Sequence, residues 1–77
     1  MIMQIKLGFI GCGNMATAII NGAVTSEFIA GENIFVYDID SEKTGFLYEK
    51  HGVNVCDSAE SVAENTDVTV LAVKPQI

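Results

Sequence analysis

Arginine is absent from the chain, and its only fixed cations are Lys6, Lys43, Lys50 and Lys74, set against ten Asp and Glu for a net charge of −6. A surface of that sign repels duplex nucleic acid and anionic membranes, so neither is expected as a partner. An anion held by this chain has to be gripped without a guanidinium. Proline occurs once, at Pro75, and there is no long polar or low-complexity run; with 49% apolar and 18% charged residues, disorder is excluded. Histidine also occurs once, at His51, and no Cys/His cluster has metal-ligand spacing, so no metal is expected. No apolar stretch approaches the roughly 18 residues of a membrane span, and no signal-type apolar segment opens the chain. The 77 residues therefore read as one small cytoplasmic α/β domain, spanning 1–77, with a modest core.

What is present centres on Lys6 to Ala16, an apolar strand that runs through two glycines into a helix. Gly11, Gly13 and Ala16 form G-x-G-x-x-A, and each position has its own task in a dinucleotide-binding turn. Gly11 permits a bend that a Cβ would obstruct, Gly13 lets the backbone approach phosphates, and Ala16 keeps the helix close to the strand. The first helical turn offers unpaired N–H groups and a partial positive charge, which suits an anion. The candidate cofactor-binding residues here are Ile10, Gly11, Cys12, Gly13, Asn14 and Met15. Taken alone, the pattern also fits a glycine turn before an ordinary helix.

The remainder of the chain alternates strands and helices. Residues 4–10 suit a central strand. Asn14–Thr25 suits a helix whose polar residues Thr17, Asn21 and Thr25 make a narrow stripe, so cover on more than one side is expected, with Gly22 marking a close backbone approach. Ser26–Asn33 is a connector broken at Gly31. Ile34–Tyr37 is a second strand, and Asp40 or Ser41 caps a helix to about Lys50, with Phe46 and Leu47 inward and His51-Gly52 as its stop. Val53–Val55 is a short third strand. Asp57-Ser58-Ala59-Glu60 supplies a D-x-x-E cap for a helix that buries Val62 and Ala63 and ends at Asn65-Thr66. Val68–Val73 is the fourth strand, closed by Pro75.

Right-handed crossovers turn that order into half of a doubly wound parallel sheet, strand order 3-2-1-4, with helices on both faces. Ligands bind such sheets at the switch point beyond the strand C-termini, here between strands one and four. Gly11–Ala16 and Ala72, Val73, Lys74 and Pro75 are its two lips. Lys74 reads equally as a phosphate or ribose contact and as a solvated charge. The order also places a whole strand between Cys12 and Cys56, so free thiols are expected. Cys12 needs to be small, and the adjoining helix N-terminus can lower its pKa. His51, at a helix C-terminus, lies far from the crevice.

Asp38, followed by Ile39, closes the second strand where the fingerprint places an acidic residue on the adenosine ribose, somewhat beyond the usual ~20-residue interval. A 2′-phosphate there would meet Asp38 and Asp40, with only Lys43 and Ser41 to offset them, so NAD(H) is expected over NADP(H). A capping pair on a solvated turn is the alternative use of these two aspartates. No set of nucleophile, base and orienting group is visible, and no catalytic residue is assigned.

Gly8–Ala16, its continuation Ala18–Gly22 and the closing Asp67–Gln76 resemble the N-terminal domain of the pyrroline-5-carboxylate reductases. That resemblance implies a Rossmann-like fold and hydride transfer from NAD(P)H to the C=N carbon of 1-pyrroline-5-carboxylate, giving L-proline. It places the nucleotide along Ile10–Met15, the turn of Asp38 and Ile39, and Ala72–Pro75. It leaves the imine substrate and dimer formation to a C-terminal helical domain that this chain lacks, so a homo-oligomer is implied. Two positions depart from the pattern. Asp38-Ile39-Asp40 stands where many members carry Asn-Arg or Ser-Ser, which suits their NADPH. Ala59 aligns with an Asn near the cofactor, for which Ser58 is a partial substitute. A deazaflavin-dependent NADP reductase, a prephenate or hydroxyacid dehydrogenase and a non-enzymatic nucleotide-binding module are the competing readings. An apolar fourth strand at the sheet edge is expected to pair with another chain.

Overall fold

The computed structural model describes residues 4–72. Its elements are β1 (Leu7–Ile10), α1 (Asn14–Thr25), a 3-10 turn at Gly31–Asn33, β2 (Ile34–Tyr37), α2 (Ser41–His51), β3 (Asn54–Val55), α3 (Ala59–Asn65) and β4 (Val68–Leu71). The strands form one sheet in the order β3-β2-β1-β4, and every pairing is parallel. This is the topology expected from the alternation of elements.

Register and strand alternation decide which helix covers which face. Phe9 lies opposite Val36 and Val70, and Leu7 opposite Ile34 and Val68. Phe9, Ile34 and Val36 are fully buried and cluster with Ala16 and Ile20 of α1, Leu47 of α2, and Val53. Gly8 points the other way, since successive residues of a strand face opposite sides. A Cβ there would stand 2.5 Å from Cγ1 of Val62 and 2.8 Å from Cγ2 of Thr66, so α3 lies on that second face. Each fully buried large apolar side chain of this core contributes about 1.5–3 kcal/mol.

Helix ends are where the sequence signals are best obeyed. Asp40 caps α2 by accepting the N–H of Glu42 at 3.0 Å, and Gly52 closes the helix in the left-handed region, φ 69°. Ser58 rather than Asp57 caps α3, accepting the N–H of Ser61 at 3.0 Å. The cap thus sits one residue later than the D-x-x-E pattern suggests, because S-x-x-S offers the same i to i+3 reach. At the end of α1 the N–H of Phe28 bonds the Ala23 carbonyl and that of Glu27 the Val24 carbonyl, with Glu27 at φ 61°. That is a Schellman closure with a glutamate in the position usually given to glycine, so the connector first turns at Glu27, ahead of the 3-10 turn that opens at Gly31. Gly31 has another task, for a Cβ on it would run into the carbonyl oxygen of His51.

Four side-chain expectations fail, each because one-sided packing is narrower than the apolar pattern. Only Ala16 and Ile20 of α1 are buried, while Met15 and Ile19 are exposed. Among the described residues nothing beyond the helix's own backbone lies within 4 Å of a Cβ on Gly22, so no other segment approaches there. In α2 the inward residues are Thr44 and Leu47, and Phe46 is 54% exposed. In α3 Val62 is buried and Ala63 is exposed. Cys12 and Cys56 are free thiols as expected. Among the described residues no helix is long and apolar enough to cross a membrane.

The two glycines give a paired prediction for urea denaturation. Gly22→Ala, in open space on a helix, should raise stability by about 1 kcal/mol. Gly31→Ala should lower it by about 1–3 kcal/mol, because a main-chain carbonyl must move. Equal shifts in the same direction would contradict the packing described.

Candidate cofactor site

The turn between β1 and α1 shapes the mouth of the sheet. Gly11 takes φ 95°, a conformation that a side chain would strain, and its N–H donates to the Tyr37 carbonyl at 2.8 Å. The glycine turn is thus bonded to the end of β2 before α1 begins. Gly13 is the N-cap of α1 and no side chain caps this helix, nor does its first turn carry an acidic residue. α2 and α3 both have side-chain caps. Among the three α-helices of the described residues, α1 alone opens with its main-chain donors uncommitted, at the end of the sheet where an anion would be seated.

Asp38 faces this turn from β2. One carboxylate oxygen accepts the N–H of Cys12 at 2.8 Å and the other the N–H of Asp40, also at 2.8 Å. Burial pushes its pKa up, but the bonds from Asp40 and Cys12 and the charge of Lys43 outweigh that, leaving it below the ordinary 3.8. A carboxylate has about four lone-pair positions, so two remain for ribose hydroxyls. Ile39 beside it is 91% exposed.

Cys12 corrects an expectation. Its side chain is buried, with Sγ 3.8 Å from the Tyr37 carbonyl oxygen. Burial first, and then the charge of Asp38, push the thiol up to about 11. The neighbouring helix end does not make it a reactive thiolate, and its role is to fill the space behind the turn.

An open cleft of about 770 Å³ lies beside these groups, with Cys12, Gly13, Asn14 and Met15 on one side and Asp40 and Lys43 on the other. Glu42, Thr17 and Phe46 complete it. Contrary to the inward place its apolar character suggests, Phe46 lies on the cleft, with the Lys50 ammonium 5.5 Å from its ring centroid. The available signal is the i, i+3 spacing of Lys43 and Phe46, which puts both on one side of α2. Ala72 donates its N–H to the Ile10 carbonyl at 2.8 Å, so both expected lips lie at the same end of the sheet. The cleft, however, opens between the starts of α1 and α2, and Ala72 is not part of its lining. Val73, Lys74 and Pro75 lie outside the described residues. Ser58 is committed as a cap through its oxygen, with its hydroxyl proton still free to donate. His51 ends α2, about 16 Å along the helix from its start.

An uncapped helix mouth after a G-x-G-x-x-A turn, faced by an acidic residue at the end of the next parallel strand, is the geometry of a dinucleotide site. Residues 6–77 match the family described as NADP oxidoreductase, coenzyme F420-dependent. The chain belongs to this family of NADP oxidoreductases. Pyrroline-5-carboxylate reductase of Escherichia coli (strain K12) is 41% identical over 75 residues, which is 97% of this chain and 28% of that protein. The enzyme of the same name from Arabidopsis thaliana is 36% identical over 94% of the chain and 26% of its own length. Among solved structures, a pyrroline-5-carboxylate reductase from Coxiella burnetii superposes with a TM-score of 0.88 at 37% identity, over 95% of this chain and 27% of that one. The Plasmodium falciparum pyrroline carboxylate reductase with NADP bound gives 0.73 at 33% identity, over 91% and 24%. The resemblance read from Gly8–Ala16 and Asp67–Gln76 is thus matched by relatives of that name. The chain spans about a quarter of the length of these relatives.

Because the folded pKa of Asp38 is depressed, the stability it contributes is fully present above the unfolded value and is lost as pH falls through the lower folded one. Acid unfolding followed by circular dichroism should therefore show a loss below about pH 4 that is reduced in Asp38→Asn. An unchanged acid limb in the variant would show that the two N–H bonds carry no such linkage.

Proposed function

We propose that this chain is the coenzyme-binding part of a cytoplasmic pyrroline-5-carboxylate reductase, serving hydride transfer to the C=N carbon of 1-pyrroline-5-carboxylate to give L-proline, with NAD(H) preferred over NADP(H). The observation that carries the reading is the uncapped mouth of α1 with Asp38 facing it. The nicotinamide coenzyme supplies the hydride when bound; the chain's own residues supply binding and orientation. The N–H groups at the start of α1 would hold the diphosphate, Asp38 the adenosine ribose, and the exposed ring of Phe46 a flat apolar wall of the cleft. Val73, Lys74 and Pro75 are assigned to coenzyme contact from the sequence alone. The imine substrate and the family's dimer fall to parts of the parent protein other than this chain, while the exposed edge of β4, with Leu71 71% exposed, offers this chain a separate surface for self-association.

The coenzyme preference rests on charge. A 2′-phosphate beside Asp38 brings like charges together at a cost of about 4 kcal/mol for a pair ~4 Å apart at an effective dielectric of 20, and less where water enters. Lys43 lies across the cleft from the turn and offsets part of this. The family description and the Plasmodium structure both name NADP; the reading for NAD(H) rests on the charge of Asp38. The family description also keeps a deazaflavin-linked NADP reductase as the second reading.

Titration of the chain with NADH and NADPH, followed by fluorescence or calorimetry, tests the preference. NADH is expected to bind about 10- to 100-fold more tightly, allowing for solvent screening, and Asp38→Ser should narrow the gap. Tighter binding of NADPH by the unmodified chain would overturn the preference, and no binding of either would overturn the whole reading.

A further inference from the structure

We propose that Asp38 is a positioning residue as well as a ribose ligand: its carboxylate clasps the glycine turn to the β2–α2 turn and so holds the mouth of α1 in its binding shape before any coenzyme arrives. The two bonds involved come from different loops. Cys12 N–H belongs to the turn after β1 and Asp40 N–H to the turn after β2, and each lies 2.8 Å from its own carboxylate oxygen. Asp40 in turn accepts the N–H of Glu42 and caps α2. One unbroken run of contacts therefore links the start of α1 to the start of α2, with the Gly11 N–H bond to the Tyr37 carbonyl beside it.

Among the described residues no other side chain accepts the Cys12 N–H, which lies within the G-x-G segment itself. Gly11, at φ 95°, and Gly13 flank it, and two adjoining glycines give the turn more alternative shapes than any other stretch of the described chain. A charged acceptor between them removes those alternatives. The consequence for specificity is direct: a residue chosen at position 38 only to admit a 2′-phosphate would also release the diphosphate turn, so coenzyme choice and coenzyme affinity are not separable here.

The purpose of the clasp rests on the coenzyme reading and its existence does not; both tests are made without coenzyme, so failure of one is distinguishable from failure of the other. In the unmodified chain, amide hydrogen exchange by NMR should show the Cys12 and Asp40 amides at least about tenfold slower than the amide of the exposed Ile39 that follows Asp38, as one charge-assisted bond each implies. Exchange of the Cys12 amide as fast as that of Ile39 overturns the proposal. Alkylation of the buried Cys12 thiol by iodoacetamide, in a Cys56→Ser background, gives the second measure. Asp38→Asn places an amide NH2 against one of the two N–H donors, and the rate, corrected for thiol ionisation from its pH profile because loss of the Asp38 charge by itself lowers the thiol pKa, should rise about tenfold or more. A rate unchanged by Asp38→Asn, in a variant with an intact circular dichroism spectrum, also overturns it. Should the variant fail to fold, the exchange measurement on the unmodified chain decides alone.

Discussion

The carboxylate of Asp38 sits where two turns leave neighbouring parallel strands, and the mouth of the sheet takes its form from that meeting. Parallel strands bring their C-termini to one end, where N–H groups point outward with few acceptors near. Here two of those groups are satisfied by one side chain, a third by the Tyr37 carbonyl, and those at the start of α1 are left without a cap. The chain has no arginine to bring to the same place. The donors left free to meet an anion are those of a helix end, and a neighbouring acid is bonded to the turn that leads into it.

The fold is legible in the sequence because the signals that set topology are local and redundant. The β-branched and aromatic runs Ile34–Tyr37 and Val68–Leu71, the glycine turn at Gly11, and Asp40 and Gly52 at the two ends of α2 each act within a few residues. Strand order then comes from handedness, which no side chain needs to specify. The glycine turn and Asp38 can be found for the same reason: each is defined by its position relative to a strand end.

The features that cannot be read this way depend on contacts between distant segments. Phe46 and Leu47 are adjacent and both apolar, and only the angle at which α2 meets the sheet decides that Leu47 enters the core and Phe46 the cleft. The same holds for Val62 and Ala63 on α3. Nearness to a helix N-terminus suggests a lowered pKa for Cys12, yet burial and the charge of Asp38, a residue far along the chain, dominate and move it in the opposite direction. Gly22 suggests a close approach that the structure places elsewhere, at Gly31 and Gly8. A glycine on its own does not say whether it makes room for a neighbour or is merely tolerated.

Gly8 carries this furthest. Val62 and Thr66 stand so near its α-carbon that strand and helix share a single allotment of space. A larger residue in β1 would have to be answered by a smaller one in α3, so across descendants of this chain the two positions should drift as a pair or stay as they are. The second face of the sheet is therefore held by packing, a constraint separate from any that a ligand at the cleft would impose.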